Sequence, residues 1–250
     1  MVSFSVAYVR ITLHVKKQNC AILHWQWRFD CGMDSLGCGS REPLHWHKQF
    51  LDDYSDAVLS RVDEDDADAL QLVLSSQQWV WGSSCSGTDS CGWCFSAFAR
   101  ACHRRWELQV ECMHAFSAEI VNYKRDFILR HHQPLQLFKD GMDLSRESAY
   151  CVKAGRFVRA SNVHIFIAGF SCKTVSNYNS DKLGARRAIL DYSGQTGVTF
   201  LAVVFFLEKK KPKVCILENV KGLRVAQQHE LVCKNQAMRV LLFVVAVGCA

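Results

Sequence analysis

Residues 163–173 read VHIFIAGFSCK, a short apolar run followed by a glycine, an aromatic residue, a serine and a cysteine. The run Val163–Ala168 is rich in β-branched residues, which is typical of a buried strand. A second run, Lys213–Leu217, is followed directly by Glu218 and Asn219. A helix-length segment separates the two runs, and strand–helix–strand units of this kind build parallel sheets. The stretch therefore predicts an α/β fold with polar residues at the carboxyl ends of its strands.

The same alternation of strands and helices extends in both directions from this stretch. Strands are predicted at 78–83, 107–112, 135–138, 163–168, 213–217 and 239–247, and helices at 92–102, 117–129, 198–209 and 227–236. The prediction is a mainly parallel sheet flanked by helices over residues 76–250. Residues 1–75 differ in composition and include an acidic stretch, 52–68, with helical periodicity. They are predicted to form an N-terminal extension.

The composition excludes several classes of protein. The chain has 250 residues, 49% hydrophobic and 22% charged, which is the balance of a globular protein. Its net charge of +6 suits a polyanionic partner, but the sequence has no dense stripe of lysine and arginine. Thirteen cysteines, an odd number in a long chain that shows no signal-peptide pattern, favour a reducing intracellular compartment. No apolar run approaches the roughly 20 residues of a membrane-spanning helix, and no cysteine or histidine spacing predicts a metal site.

The turn between the predicted strand 78–83 and the helix 92–102 is a candidate nucleotide site. Its small residues let the backbone approach a ligand, and the helix that follows offers unpaired N–H groups. Glu111 is predicted to end the next strand, where a carboxylate commonly accepts hydrogen bonds from a ribose, and Asp140 follows the third strand, where it could contact an adenine. The predicted ligand-binding residues of the turn are Ser86, Gly87, Thr88 and Asp89.

The candidate reactive groups are Cys172 and Glu218. Cys172 lies on a strand-to-loop turn beside Lys173, whose charge favours the nucleophilic thiolate. Gly-Phe-Ser-Cys, followed 46 residues later by Glu-Asn-Val, resembles the paired signature of DNA cytosine-5 methyltransferases. The resemblance covers residues 78–225, although Ser171 replaces the usual proline, Lys173 replaces the usual glutamine, and the cofactor turn lacks the family's Phe-x-Gly-x-Gly pattern.

The resemblance implies a Rossmann-like methyltransferase fold that binds S-adenosylmethionine. It implies that Cys172 attacks C6 of a cytosine flipped out of DNA, while Glu218 interacts with N3 and Asn219 holds the loop around the cysteine. The methyl group then passes from S-adenosylmethionine to C5.

Parts of the family pattern are missing after residue 225. No Arg-x-Arg segment or target-recognition region follows, so the catalytic domain is predicted to be incomplete at its C-terminus, and a partner chain could supply the missing region. DNA is the expected substrate, transfer RNA is the alternative, and a eukaryotic protein of this kind is expected in the nucleus.

Two other functions are compatible with the sequence. Cys91-Gly92-Trp93-Cys94 is a Cys-x-x-Cys motif at a predicted helix start, as in thioredoxin-like redox proteins, and Pro134 could stand for that fold's cis-proline. This alternative leaves Cys172 and Glu218 without a role. The other alternative is a non-catalytic remnant that keeps the methyltransferase scaffold.

Overall fold

A computed structural model describes residues 12–16, 20–27, 45–85, 87–171, 194–220 and 241–247, with side chains described within 48–85, 87–171 and 194–218. Its strands are β1 (Thr12–Lys16), β2 (Cys20–Trp27), β3 (Trp79–Ser84), β4 (Cys112–Ala118), β5 (Gln136–Phe138), β6 (Ala149–Cys151), β7 (Arg156–Val158), β8 (Ile165–Ala168), β9 (Val214–Val220) and β10 (Leu241–Val247). Its helices are α1 (His45–Leu59), α2 (Glu64–Ser75), α3 (Cys91–Trp106), α4 (Asn122–His131) and α5 (Gly194–Lys210), with a short 3₁₀ helix at Gly141–Ser145.

The described strands form one sheet in the order β1-β2-β10-β9-β8-β3-β4-β5-β6-β7. All neighbouring pairs from β2 to β5 in this order are parallel. The pairs β1–β2, β5–β6 and β6–β7 are antiparallel. The predicted α/β fold with a mainly parallel sheet is therefore confirmed, and it brings the carboxyl ends of β3, β4, β5, β8 and β9 to one edge.

Most predicted elements are present with small changes at their ends. The strands β3, β5, β8, β9 and β10 and the helices α3 and α5 each overlap the predicted segment. The strand predicted at 107–112 is wrong, because residues 107–111 precede β4, and the helix predicted at 117–129 begins at Asn122. The helix predicted at 227–236 lies outside the described residues.

The first 75 residues contribute to the same sheet and to its helical layer. Strand β2 pairs with β10, and α1 packs along α3. Asp52 of α1 accepts a hydrogen bond from Arg100 of α3 at 2.9 Å, and Asp56 accepts one from Arg104 at 2.8 Å. A boundary between residues 75 and 76 stays a prediction.

The largest core cluster lies between α5 and the strands of the sheet. Phe206 of α5 packs on Phe166 of β8 and Phe116 of β4, with ring centroids 4.1 and 5.5 Å apart, and none of the three is exposed. Gly82 of β3 is required beside this cluster, because a Cβ there would lie 2.5 Å from the Phe116 ring. None of the helices in the described part of the chain has the length and apolar character needed to cross a bilayer.

Candidate active site

The loops at the carboxyl edge of the sheet are joined to one another by backbone hydrogen bonds. These loops follow β3, β4 and β8, and each bond connects the first residue after one strand to the end of a neighbouring strand. The bonds run from Gly169 N to Ser84 O (3.1 Å), from Cys85 N to Ala118 O (2.8 Å) and from Glu119 N to Phe138 O (3.2 Å). Residues far apart in the sequence are thereby held at fixed positions along one edge.

Glu218 lies at this edge, one residue beyond the last paired position of β8 and β9. A Cβ on Gly169 would lie 3.0 Å from Glu218 Oε2 and 3.0 Å from the Cys85 carbonyl oxygen. A side chain at position 169 would therefore crowd both the carboxylate of β9 and the loop after β3. Burial raises the pKa of Glu218 above its usual value, which favours the neutral acid.

The segment that leads to Cys172 is anchored on α5. Phe170 is 2% exposed and its ring packs against Phe200, with centroids 5.1 Å apart. The Ser171 amide donates to Thr199 Oγ1 at 3.1 Å, and this hydroxyl lies 2.9 Å from the Gln195 carbonyl oxygen, to which it donates. Cys172 lies outside the described residues, as does the side chain of Asn219, so their predicted roles stay predictions.

The turn after β3 contains three described residues with positive φ angles. Cys85, Gly87 and Asp89 have φ angles of 55°, 67° and 63°, in the left-handed region that glycine tolerates best. A Cβ on Gly87 would meet only Lys124 Nζ, 3.8 Å away, within a 4 Å radius. Thr88 is exposed, and Ser86 lies outside the described residues. The turn therefore leaves room for a ligand next to the Gly87 backbone.

The side chain of Asp89 points into the protein, which corrects its predicted contact with a ligand. It is fully buried, accepts a hydrogen bond from the Ser117 hydroxyl, and lies 3.2 Å from His114 Nε2 and 3.1 Å from the Cys91 thiol, which donates to it. Burial alone would raise the pKa of Asp89, but His114 and Ser117 lower it below its usual value. The Asp89 carboxylate therefore contacts β4 and stabilises the turn from the interior of the protein.

Glu111 is at the wrong end of its strand to bind a nucleotide. It precedes β4, and its carbonyl oxygen accepts the amide of Trp79, the first residue of β3, at 2.8 Å. Since β3 and β4 are parallel, Glu111 lies at the amino edge of the sheet, about 20 Å from the turn after β3. The predicted ribose contact of Glu111 is therefore wrong.

Asp140 is at the predicted edge. It is exposed, and its carboxylate accepts a hydrogen bond from the Met142 amide at 2.9 Å and so caps the 3₁₀ helix. A Cβ on Gly141 would lie 2.6 Å from Ser84 Oγ, so this helix packs closely on the end of β3. Burial raises the pKa of Cys85, and the carboxylates of Glu119 and Asp140 raise it further.

Comparisons with known proteins agree with this arrangement. Residues 147–243 match the family model of the C-5 cytosine-specific DNA methylases. The chain is also 30% identical over 167 residues to the DNA (cytosine-5-)-methyltransferase DMT5 of Cryptococcus neoformans var. grubii serotype A, covering 66% of this chain. Over this region the chain is similar to the DNA cytosine-5 methyltransferases. It spans 7% of the length of that relative.

The similarity to these methyltransferases includes the part of the fold that carries the predicted chemistry. The matched region of this methyltransferase family contains both Cys172 and Glu218, and methyltransferases of this family generally take the methyl group from S-adenosylmethionine. The mainly parallel sheet flanked by helices is consistent with the Rossmann-like methyltransferase fold predicted from the sequence.

Glu119 is a buried acidic residue at the carboxyl edge of the sheet that sequence reasoning missed. It follows β4 directly, is 5% exposed, and accepts a hydrogen bond from the Val121 amide at 2.9 Å. Arg125 of α4 holds this loop by donating to the carbonyl oxygens of Glu119 and Ile120 at 2.7 and 2.6 Å. The signal was present in the sequence, because Glu119 ends the run of small and aromatic residues that forms β4.

The thioredoxin-like alternative has no support in the comparisons or in the site. Burial and the adjacent Asp89 carboxylate raise the pKa of Cys91 well above its usual value, and burial raises that of Cys94. A redox-active Cys-x-x-Cys motif requires the opposite shift, because the thiolate is the reacting form.

Proposed function

We propose that this chain transfers a methyl group from S-adenosylmethionine to C5 of cytosine in DNA, with Cys172 as the nucleophile and Glu218 as its acidic partner. One observation carries the proposal. The half-buried carboxyl group of Glu218, whose pKa is raised, lies against Gly169, three residues before Cys172. A carboxyl group whose pKa is raised by burial, next to the segment that leads to Cys172, has the arrangement that a pyrimidine ring would require.

The chemistry divides between the two residues. The Cys172 thiolate would form a bond to C6 of a flipped-out cytosine, which pushes an electron pair towards C5 and N3. Glu218 would donate a hydrogen bond or a proton to N3 and so stabilise the charge that develops there. Its raised pKa supports this role, because a carboxylate cannot donate.

The remaining steps restore the ring. C5 takes the methyl group, a base removes the C5 proton, and the bond between sulfur and C6 breaks. Asn219 is adjacent to Glu218 on β9 and would hold the loop that carries Cys172. The anchor of Ser171 on Thr199 would set the entry of that loop into the site.

The cofactor would lie at the turn after β3. S-adenosylmethionine, when bound, supplies an electrophilic methyl group. The residues present fit it, because the open Gly87 backbone, the Glu119 carboxylate and the exposed Asp140 carboxylate gather at one edge. Glu119 would accept hydrogen bonds from the ribose hydroxyls and Asp140 from the adenine, while Ser86 and Thr88 would contribute backbone N–H groups.

DNA would be held largely by parts of the protein beyond this region. The chain spans 7% of the relative's length, so a target-recognition region elsewhere in a longer protein or on a partner chain is part of the proposal. In a eukaryotic cell, this substrate would place the protein in the nucleus.

A mechanism-based trapping assay tests the proposal. The protein is mixed with S-adenosylmethionine and DNA containing 5-fluorocytosine, and a covalent adduct is sought on a denaturing gel, because fluorine at C5 cannot leave as a proton. Wild type and Cys94→Ala should form the adduct, and Cys172→Ala should not. Cys94 is the matched control, since it is a cysteine outside the site, on the first turn of α3.

The outcomes separate the alternatives. An adduct with transfer RNA and none with DNA would correct the substrate. No adduct with either polymer, while S-adenosylmethionine still binds, would favour the non-catalytic remnant. An adduct that survives in Cys172→Ala would refute the assignment of the nucleophile.

A further inference from the structure

We propose that Asp89, His114 and Ser117 form a clamp that ties the cofactor turn to strand β4 and thereby positions it for S-adenosylmethionine. The inference rests on the proposed function and adds three positioning residues to it. Asp89 belongs to the turn, whereas His114 and Ser117 belong to β4.

The backbone of Asp89 gives the first argument. Its φ of 63° lies in the left-handed region, which most residues other than glycine avoid because of steric clashes. Aspartate tolerates this region better than most residues because its short side chain can form local hydrogen bonds. Here the carboxylate extends to the neighbouring strand, so the conformation of the turn depends on that contact.

The side-chain contacts of Asp89 give the second argument. Oδ2 accepts from the Ser117 hydroxyl and lies 3.2 Å from His114 Nε2, and Oδ1 accepts from the Cys91 thiol at 3.1 Å. His114 is itself fixed, since its ring stacks on that of Trp81 with centroids 3.6 Å apart and planes 13° apart. A fully buried carboxylate is tolerated only with such partners, and removing one of them leaves an uncompensated charge.

The position of the clamp along β4 gives the third argument. At its start, the turn is bonded to β4 by the Cys85 amide and the Ala118 carbonyl oxygen, 2.8 Å apart. At its end, Asp89 is bonded to Ser117, one residue before Ala118. Both ends of the turn are therefore fixed to adjacent residues of β4, and Gly87 lies between them in the chain, while Glu119, the proposed ribose ligand, follows Ala118 directly.

The test compares cofactor affinity and loop opening in matched variants. Asp89→Gly accepts the left-handed backbone without strain but removes the carboxylate, and Asp89→Asn keeps the shape but removes the charge. His114→Phe keeps an aromatic ring against Trp81 but removes the ring nitrogen that lies 3.2 Å from the Asp89 carboxylate. The control is Asp52→Asn, since Asp52 also pairs with a residue of α3, at 2.8 Å from Arg100 Nη2, but belongs to α1 and not to the turn.

The dissociation constant of S-adenosylmethionine, measured by calorimetry on folded protein, should rise about tenfold or more in Asp89→Gly and His114→Phe, a loss of about 1.4 kcal/mol. It should not change in Asp52→Asn, although that variant also loses an ion pair. A role in stability alone would lower the melting temperature and leave this constant unchanged. Unchanged affinity in both Asp89 variants would overturn the clamp and leave the proposed function standing.

Hydrogen exchange tests the clamp in the absence of the cofactor. The amides of Gly92, Trp93 and Cys94 are bonded to the carbonyl oxygens of Asp89 and Ser90. Their exchange should become about tenfold faster in Asp89→Gly and stay unchanged in Asp52→Asn. If wild type fails to bind S-adenosylmethionine, the proposed function fails, whereas faster exchange still supports the clamp and unchanged exchange overturns it.

Discussion

The substitution Gly169→Ala tests the assembly of the site most directly. A Cβ at this position would lie 3.0 Å from Glu218 Oε2 and from the Cys85 carbonyl oxygen, so each oxygen must move by about 0.4 Å to reach an ordinary contact. Overpacking of this kind costs about 1–3 kcal/mol. The melting temperature should fall by about 2–4 °C for each kcal/mol in a chain of this size.

Catalysis should suffer beyond the loss of stability. A misplacement of 1 Å in a catalytic group can cost about 100-fold in rate, so a shift of about 0.4 Å should lower methyl transfer about tenfold. The control is Gly155→Ala, because Gly155 has a φ of 63° and a Cβ added there would meet no heavy atom within 4 Å. That variant should lose about 1–2 kcal/mol through backbone strain and keep its rate per folded molecule.

The assays are thermal unfolding and transfer of a radiolabelled methyl group to DNA, with the rate divided by the folded fraction. If Gly169→Ala keeps the full rate, or if Gly169→Ala and Gly155→Ala lose the same fraction of it, the contact between Gly169 and Glu218 does not set the geometry of the site.

Three further predictions follow from contacts and charges. Gly82→Ala should lower the free energy of unfolding, measured in urea, by about 3 kcal/mol, because its Cβ would lie 2.5 Å from the Phe116 ring. In the double variant Gly82→Ala/Phe116→Leu the loss should be smaller than the sum of the two single losses. Additive losses would contradict the clash. Relative to wild type, Glu218→Gln should become more stable as pH rises, because burial raises the pKa of Glu218 in the folded state and its ionisation then opposes folding. If the difference in melting temperature between the variant and wild type is constant from about pH 4 to 8, the pKa of Glu218 is not perturbed. The thiol of Cys91 should alkylate slowly at neutral pH, because burial and the adjacent Asp89 carboxylate raise its pKa, and an inflection below the ordinary thiol value would contradict its contact with Asp89.

The clearest failure of the sequence prediction concerns the second parallel strand. Residues 107–111 alternate polar and apolar side chains, which favours a strand, and the true strand, Cys112–Ala118, carries small and aromatic residues without alternation. Because β4 pairs on both sides with parallel strands, alternation is a poor guide to its limits. The shift moved Glu111 from the predicted carboxyl end to the amino end and concealed Glu119.

The predicted roles of Cys172, Asn219 and Ser86 depend on the sequence alone, since their side chains lie outside the described residues. Glu218, Gly87 and Asp140 are at the predicted edge of the sheet, and their roles in binding and catalysis are proposals. Asp89 shows what the sequence could not indicate. A short acidic side chain in a turn is equally compatible with a ligand contact and with a buried hydrogen bond.

The sequence by itself determined the α/β class, the resemblance to the cytosine-5 methyltransferases, and the strand ends at which the candidate reactive residues lie, because apolar runs, helix lengths and the spacing of Cys172 and Glu218 are local properties of the chain. Only the tertiary structure decided which carboxylate faces the cofactor turn and which supports it. The pairing of β4 with β3 decides that Glu111 precedes β4 and Glu119 follows it. The partners of Asp89, His114 and Ser117, lie 25 and 28 residues further along the chain. Such contacts are set by packing between strands, and a single sequence carries no local signal for them.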